Sequence, residues 1–437
     1  MPRSLRVRRD CIEYAKHALP RQGYARQADL AGDLEISVTT VNNFLNGKPV
    51  DHSYFLELCQ RLDLDMTAIA AFDSDVDLSA DVPQGGSAAE TEGSFSLAID
   101  EEAFKTFYVE RPPIETTCFK ALLQPGALVR IKAPSHMGKT SLLNYVLLQL
   151  QQRDYKMALV NFHMAEATHL ESLDAFLQWF CISVGRLLHQ PNRLEDLWDS
   201  QFSTAKENCT HYFENHLLPD QGTPLVLCLD QVDCILTSPQ IEIVREFFGL
   251  LRAWHEHAKV NKRWTAMRLV MLHSTEVYLQ LRVNESPFNV GQAIELPEFT
   301  LEQIEQLADN HNVSLEDGAL HQLFDLVGGH PYLLEQAFTY LKSHGQEALP
   351  ALLESAPTEA GIYRNHLRQH LIALQNSPEL VETFKHIVDA NCSSIRVESS
   401  QAYQLYSRGL VNFQGNAVVI RCQLYQRYFA SHFSLAT

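Results

Sequence analysis

Positive charge, paired cysteines and long apolar runs are all scarce in this 437-residue sequence. Its 35 lysines and arginines are outnumbered by 53 aspartates and glutamates, and the net charge of −18 argues against non-specific binding of polyanions. The nine cysteines are scattered, with no C-x-x-C and no zinc-ligand spacing, which predicts buried, reduced thiols. Because no apolar stretch could cross a bilayer and the arginine-rich N-terminus lacks an apolar h-region, we expect a cytoplasmic protein with no membrane partner.

What the sequence does have is a glycine-lysine-threonine motif between an apolar run and a segment of helical periodicity. Residues 128–131 predict the strand, and the segment after the motif predicts the helix. In that context the backbone N–H groups of the loop cradle nucleotide phosphates, Lys139 reaches the β- and γ-phosphates, and Thr140 holds Mg²⁺. Ala133 stands where the first glycine of the pattern is expected, so the loop is less free to adopt strained dihedrals. The predicted phosphate-binding residues are Pro134, Ser135, His136, Met137, Gly138, Lys139, Thr140 and Ser141.

A second apolar run, residues 224–230, ends in a carboxylate. It predicts a strand buried on both faces of a parallel sheet, with Asp230 at its C-terminal end beside the phosphate-bound Mg²⁺. ATPases of this type usually place glutamate directly after that aspartate, whereas this chain has Gln231. An amide can hold a water but cannot take its proton, which leaves Asp233 as the substitute base. We therefore expect nucleotide binding, with slow hydrolysis and lost hydrolysis as even alternatives.

Three further apolar runs complete the predicted sheet, at residues 156–162, 267–273 and 292–296. The middle run is followed directly by Ser274. We expect it to lie between the phosphate-loop strand and the Asp230 strand, so that Ser274 senses the γ-phosphate or the attacking water. The predicted fold class is therefore α/β, a P-loop NTPase parallel sheet flanked by helices.

The N-terminal module is predicted to be all-helical. Its first helix presents an apolar face of Leu30, Ala31 and Leu34, Ser37 is suited to cap the next helix, and Gly47 ends it. The pattern resembles the helix-turn-helix of Cro/repressor-type regulators, with Glu35 in place of the usual turn glycine. The candidate DNA-binding residues are Thr39, Thr40, Asn42, Asn43, Asn46 and Lys48, with phosphate contacts from Arg3, Arg6, Arg8 and Arg9. Because basic residues are sparse in this module, an adaptor that docks to protein is the alternative.

The C-terminal third is predicted to be mostly helical. Gly328 and Gly329 end one helix, and Pro331 begins another. The order that follows is typical of a winged helix, with helices at 363–374 and 378–390, a strand at 394–397, a helix at 401–407 and a hairpin at 410–420. Since the would-be reading helix has no lysine or arginine before Arg408, we favour a lid or signalling role for this segment over DNA reading.

An acidic segment divides the chain. Residues 73–98 have six aspartates and glutamates and no lysine or arginine, a composition that cannot bury a core and predicts a flexible linker. The expected domains are a helix-turn-helix module at 1–72, a nucleotide-binding core at 99–300, a helical lid at 301–362 and a winged helix at 363–437.

As a set, these motifs resemble the AAA-like, signal-transducing STAND-type ATPases of bacteria, especially cyanobacteria. The resemblance covers about residues 104–433 and rests on the motifs at 108–112, 136–140, 230–233, 274–278, 328–333, 365–367, 409–411 and 421–425. The N-terminal module looks like the helix-turn-helix domains fused to such ATPases.

The resemblance implies a nucleotide switch. ATP or ADP with Mg²⁺ would lie between the sheet domain and the lid, held by Lys139, Thr140 and Asp230, with Pro331 packed near the base and Arg111 close to it. The ATP state of such proteins often forms homo-oligomers. Arg282 and Arg421 are the candidates for an arginine finger.

Three functions follow as alternatives. The favoured one is an ATP-binding regulatory NTPase that couples nucleotide binding to conformational change or oligomerisation, with a helix-turn-helix module for double-stranded DNA or protein. The second is a DNA-binding transcription regulator, in which assembly places several such modules on DNA. The third is a pseudo-ATPase scaffold that binds nucleotide only for stability.

Overall fold

The computed structural model describes residues 4–7, 11–21, 24, 26–34, 36–62, 64, 69–71, 104, 107–218, 223–236, 238–274, 287–375 and 377–434. The chain divides into two compact units, residues 1–92 and 93–437. The predicted linker at 73–98 lies outside the described residues, as do Arg3, Arg8, Arg9, Glu35 and Arg282.

The N-terminal unit combines helices with three short strands, so the prediction of an all-helical module is wrong. The helices are α1 Ile12–Arg21, α2 Gln27–Asp33, α3 Val38–Leu45 and α4 His52–Arg61, and the strands are β1 Ser4–Val7, β2 Val50–Asp51 and β3 Ala70–Ala71. The strands pair antiparallel in the order β2-β1-β3. Leu5 and Val7 of β1 enter the same core as Leu30 and Phe44. Strands of two to four residues are too short to produce a recognisable alternation in sequence.

Helices α2 and α3 occupy the segment predicted as helix, turn and helix. Ser37 caps α3 as expected, since its Oγ accepts a hydrogen bond from the Thr40 backbone N–H at 3.0 Å. In the turn, the Ile36 N–H donates to the Ala31 carbonyl at 3.0 Å. Of the predicted apolar face of α2, Leu30 and Ala31 are buried and Leu34 is half-buried, and Val41, Phe44 and Leu45 of α3 are buried as well.

The second unit is built on a five-stranded parallel sheet, which confirms the predicted fold class. Its strands are β4 Leu128–Lys132, β5 Lys156–Asn161, β6 Leu225–Asp230, β7 Met267–His273 and β8 Gln292–Glu295, in the order β5-β6-β7-β4-β8. As expected, β7 lies between β6 and β4. The register pairs Asn161 with Asp230 and Lys132 with both His273 and Glu295, so the carboxyl ends of the strands meet at one edge.

Both faces of this sheet are covered, and the central strand β6 is apolar up to its final residue, Asp230. Along β6, Leu225, Leu227 and Leu229 enter one hydrophobic cluster, while Val226 and Cys228 enter the cluster on the other face. The helices before and between these strands are α5 Ile114–Leu123, α6 Lys139–Gln151, α7 Leu173–Leu187, α8 Leu194–Leu197, α9 Ala205–Tyr212, α10 Val232–Leu236 and α11 Ile241–His257. The alternation along β6 explains why one strand can anchor helices on two sides.

The remaining elements share one hydrophobic core that extends from Phe299 to Phe433, across the predicted boundary between lid and winged helix, and that also includes Val109 from before the sheet. They are α12 Leu301–Asn310, α13 Asp317–Val327, α14 Pro331–His344, α15 Leu349–Ser355, α16 Arg364–Gln375, α17 Pro378–Asp389, α18 Ser399–Ser407, β9 Val411–Gln414, β10 Ala417–Ile420 and α19 Gln423–Ser434. Helix α19 was not predicted.

The strand predicted at 394–397 is reduced to a single bridge between Ile395 and Val418. The two residues exchange backbone hydrogen bonds of 2.9 and 2.8 Å. Because α18 begins at Ser399, the segment turns into that helix before a second pair can form.

All nine cysteines are free thiols, and six of them are buried as expected, whereas Cys11 and Cys234 are half-buried and Cys392 is exposed. Cys181 of α7 and Cys209 of α9 approach within 3.5 Å between their sulfurs, a proximity that their sequence spacing does not reveal. Among the described residues, no helix is both long enough and apolar enough to cross a membrane.

Candidate functional site

The loop between β4 and α6 adopts a conformation that depends on its glycine. Gly138 has φ of 89° and immediately precedes the first residue of α6, Lys139. A Cβ atom at Gly138 would lie 2.7 Å from Arg111 Nη2, so a larger residue would displace that guanidinium in addition to being strained by the positive φ. His136 is also left-handed, with φ of 62°. The helix N-terminus thus opens onto this loop with no side chain in the capping position, an arrangement suited to an anion.

Lys139 is folded back over the loop that precedes it. Its Nζ donates hydrogen bonds to the carbonyls of Ala133 at 2.9 Å and Pro134 at 3.1 Å. Burial lowers the pKa of Lys139, and the carboxylates of Asp233 and Asp230 oppose that shift. The ammonium therefore lies between the loop and two acidic side chains, where a phosphate group would bring it a further negative partner.

Thr140 and Asp230 come together from two motifs 90 residues apart in sequence. The Thr140 hydroxyl donates to Asp230 Oδ2 at 3.1 Å, and Asp230 is only 7% exposed. A hydroxyl and a carboxylate at the mouth of a phosphate loop are oxygen ligands that suit Mg²⁺. The residues present therefore fit a magnesium-bound nucleotide, and no cluster of three or more His, Cys, Asp or Glu arranged for a metal occurs among the described residues.

The residues that follow Asp230 are held in a tight turn. Gln231 has φ of 55°, and its N–H donates to Asp230 Oδ1 at 2.8 Å. Asp233 reaches across to the end of β7, where both of its oxygens accept from the Ser274 N–H, at 3.0 and 2.9 Å. Asp230, Asp233 and Ser274 thus gather at one edge of the sheet, as the positions of the motifs predicted.

His273, the last residue of β7, belongs to the same edge and was missed by sequence reasoning. It is 3% exposed, and its Nδ1 lies 2.5 Å from the Ser274 carbonyl oxygen. Burial lowers the pKa of His273 to about 4, so the ring is neutral near pH 7. A polar residue at the end of an otherwise apolar strand was the available signal.

Arg111 lies under the phosphate loop and holds its backbone. Its Nη1 donates to the carbonyls of Met137 at 2.9 Å and Pro297 at 3.2 Å, and its guanidinium lies 4.8 Å from the centre of the Phe299 ring. Burial lowers the pKa of Arg111. The structure thus places Arg111 between the loop and the segment that leads to α12.

Pro331 is the first residue of α14, as predicted. Its neighbour Tyr332 stacks on His136 of the phosphate loop, with ring centroids 4.6 Å apart. The start of α14 therefore lies against the loop, and the contact of Pro331 with a nucleotide stays a prediction.

The candidate finger Arg421 already has partners within its own chain. Its Nε donates to Glu298 Oε1 at 2.7 Å and its Nη1 to the Gly409 carbonyl at 3.1 Å. A Cβ atom at Gly409 would lie 3.0 Å from Pro134, so the turn before β9 sits directly against the phosphate loop.

In the N-terminal unit, the candidate DNA-binding residues lie along α3 and just beyond it. Thr39, Asn42, Asn46 and Lys48 are exposed, and Asn43 is half-buried. Asn46 Nδ2 donates to both the carbonyl and the side-chain oxygen of Asn42 at 2.8 Å. The Thr40 hydroxyl lies 2.8 Å from Ser37 Oγ, which ties it to the helix cap. Arg6 belongs to β1.

A parallel sheet with this strand order, a phosphate loop after β4 and a buried aspartate at the end of β6 define a P-loop NTPase fold. The chain belongs to the AAA-like domain family, whose family model matches residues 99–431. No curated protein matches it by sequence.

Three solved structures are similar to this chain at low identity. A Walker-type ATPase of Pyrococcus abyssi is 12% identical, covers 74% of this chain and 96% of its own, and has a TM-score of 0.51. Cdc6p of Pyrobaculum aerophilum is 16% identical over 77% of this chain and 98% of its own, with a TM-score of 0.40. The replication initiator DnaA bound to AMPPCP and single-stranded DNA is 13% identical over 72% of this chain and 82% of its own, also with a TM-score of 0.40.

Proposed function

We propose that this chain is an ATP-binding regulatory NTPase of the STAND type, in which nucleotide state controls conformation or assembly. The observation that carries the proposal is the meeting of Thr140 and Asp230 at 3.1 Å beside the half-buried Lys139. Lys139 would bind the β- and γ-phosphates, and Thr140 and Asp230 would hold Mg²⁺. When bound, the metal would neutralise charge on the phosphate oxygens.

Contacts on the loop from later parts of the chain support a switch. Tyr332 of α14 stacks on His136, and the turn at Gly409 lies against Pro134. A nucleotide that occupies the loop must rearrange or strengthen these contacts. The bound state is thereby communicated to the helices and the hairpin that share their core.

Slow hydrolysis is part of the proposal. Gln231 supplies no carboxylate. Asp233 lies close enough to Lys139 for its carboxylate to oppose the lowering of the Lys139 pKa, and it is held at the end of β7 by the Ser274 N–H. Asp233 is thus the base that this chain offers for water activation, and a base occupied by a backbone N–H is expected to be a weak one.

The deciding experiment is nucleotide binding by wild-type protein and Lys139→Ala. Loss of an ammonium from a buried phosphate contact should weaken ATP affinity by about 100-fold or more, measured by calorimetry. Lys156→Ala is the matched control, because Lys156 is exposed at the opposite end of the same sheet.

Sedimentation with ADP, ATP and no nucleotide should show a change of size or shape. Unchanged ATP affinity in Lys139→Ala would remove this site from consideration.

For the N-terminal unit, we propose double-stranded DNA as the ligand of α3, with protein docking as the alternative. The exposed Asn42, Asn46 and Lys48 support it, since short polar side chains on one helix can reach base edges. Affinity should fall steeply as salt rises, roughly in proportion to the number of phosphate contacts. An adaptor would give no measurable binding to duplex DNA at low salt.

A second candidate, a DNA-binding regulator whose ATPase unit is only a scaffold, is favoured by one observation. Gln231 occupies the position directly after Asp230 and brings no base there. Protein that binds ATP, is stabilised by it and shows no turnover would support that candidate.

A further inference from the structure

Four histidines from three separate segments converge beside the phosphate loop. His136 belongs to the loop, His330 precedes α14, and His366 and His370 lie one turn apart on α16. The His366 ring centroid is 6.1 Å from that of His136, 5.7 Å from that of His330 and 4.6 Å from that of His370. We call these four residues the histidine cluster.

The charged groups that act on the histidine cluster are mainly cationic. Arg421, next to β10, acts on His330, His366 and His370, and Arg408, next to α18, acts on His370. Glu298 is engaged by Arg421 at 2.7 Å. The other acidic groups nearby are Glu335 of α14, which acts on Tyr332, and the Tyr425 hydroxyl.

The inner rings of the cluster are neutral as they stand. Burial lowers the pKa of His330 and of His366 well below the usual value, and lowers that of His370 to about 4. The neighbouring imidazoles and arginines act in the same direction. A negative charge brought to this place would reverse the balance, because it stabilises imidazolium over imidazole.

His330 also carries an unused polar atom. The residue is 2% exposed, and its Nδ1 has no hydrogen-bond partner within the described part of the chain. His366 Nε2 lies 2.7 Å from the Tyr425 hydroxyl, which orients that ring. Because the neighbouring charged groups are arginines and His330 Nδ1 is buried without a hydrogen-bond partner in the described residues, the chemistry of this cluster points to an anion.

We infer that the histidine cluster binds the phosphate end of the nucleotide and takes up a proton when the nucleotide enters. The inference rests on the proposed function, because it requires a nucleotide in the adjacent loop. The proton comes from solvent and is shared among the rings nearest the phosphates. Nucleotide affinity is therefore linked to pH, and acidification of the surroundings favours the bound state.

The test is calorimetry of Mg-ADP binding at pH 6.5 in two buffers that differ in ionisation enthalpy. The dependence of the observed enthalpy on the buffer measures the protons taken up, expected to be between a few tenths and about one per nucleotide. A linkage of about half a proton also predicts that affinity rises about five-fold between pH 7.5 and pH 6.0.

Two variants assign the proton to the cluster. His370→Gln should lose most of the uptake, and His366→Gln, whose amide can still bond the Tyr425 hydroxyl, should lose part of it. His344→Gln is the matched control, since His344 lies exposed on α14 and bonds only its own helix backbone in the described residues. Thermal unfolding of each variant verifies that it folds.

The outcomes separate this inference from the proposed function. Proton uptake that disappears in the cluster variants and persists in His344→Gln supports the inference that the histidine cluster takes up the proton. ADP binding without proton uptake in wild-type protein overturns it and leaves the nucleotide switch standing. Uptake that is equally large with adenosine, which has no phosphates, also overturns it. No ADP binding at all removes the proposed function, and the inference with it.

Discussion

Gln231 lies in a left-handed backbone conformation directly after the Asp230 carboxylate. Its φ is 55°, and its N–H bonds the Asp230 side chain at 2.8 Å. Gln231→Glu would put a proton acceptor where ATPases of this type usually have one. We expect ATP turnover to rise by about 10-fold or more at unchanged ATP affinity, measured by phosphate release. Gln231→Leu is the control, because leucine can neither hold a water nor accept its proton. ATP turnover equal to wild type in Gln231→Glu would contradict the prediction.

Asp233 is the competing explanation of any turnover that wild-type protein shows. Asp233→Asn keeps one oxygen to accept the Ser274 N–H but loses the base. Turnover should therefore fall by about 100-fold while ATP affinity changes little, measured by phosphate release and calorimetry. Asp196→Asn, at an exposed carboxylate of α8, is the control. If turnover persists in Asp233→Asn, Asp233 serves only to hold the end of β7.

At the residue scale, sequence reasoning succeeded where a motif is continuous and failed where partners are distant. Lys139 and Thr140 belong to one loop, and Asp230 ends a strand whose destination in a parallel sheet is known. The pair Arg421 and Glu298 is separated by 123 residues, and nothing in local spacing indicates it. The convergence of the histidine cluster was invisible for the same reason.

Among the elements, the connection between the sheet and the following helices depends on Gly329. The Phe299 N–H donates to the Gly329 carbonyl at 2.8 Å, and a Cβ atom at Gly329 would lie 2.2 Å from the Phe299 carbonyl oxygen. Gly329→Ala should therefore lower the free energy of unfolding by about 2–4 kcal/mol, measured by denaturant unfolding.

Gly249 provides the matched comparison because a Cβ there meets nothing within 4 Å inside α11. Gly249→Ala should raise stability by about 0.5–1 kcal/mol through helix propensity alone. An equally small change in the free energy of unfolding in Gly329→Ala would mean that the backbone around Phe299 shifts to make room for the added methyl group.

Element prediction followed length and burial. The strands of the five-stranded sheet are apolar runs bounded by polar residues, and each was located from sequence to within about two residues at either end. The paired residues β2 and β3 and the bridge at Ile395 are formed by tertiary contact and have no periodic signature. Helix α19 was missed although Tyr425, Tyr428 and Phe429 are fully buried, since only its first residues had been noted as a motif.

For the whole molecule, buried neutral histidines make stability depend on pH. His273 has its pKa lowered to about 4 by burial, so the folded state binds fewer protons than the unfolded state between that pH and about 6.5. The contribution of the neutral His273 ring to the free energy of unfolding is fully present above pH 6.5 and is lost as the pH falls below that value. His273 alone should cost about 2 kcal/mol between pH 7.5 and pH 5, and His370 should add to this loss.

Denaturant unfolding followed by tryptophan fluorescence measures this loss, because Trp179, Trp198, Trp254 and Trp264 all belong to the second unit. His273→Asn should reduce the acid sensitivity, and His344→Gln should leave it unchanged. A midpoint that does not move between pH 7.5 and pH 5 would contradict the assignment of neutral rings. The sequence supplied the number of histidines, but only the packed structure separates buried rings from exposed ones.

The single core that joins α12 through α19 has a mechanical consequence. If the proposed switch moves these elements as one body, the bend would fall at the short connection at 296–300, where Arg111 donates to the Pro297 carbonyl and Arg421 donates to the Glu298 carboxylate. A few degrees of rotation about that pivot would sweep the far end of the hairpin through several times the displacement felt at the loop. Amplification of this kind would let the loss of one phosphate group reshape a distant surface.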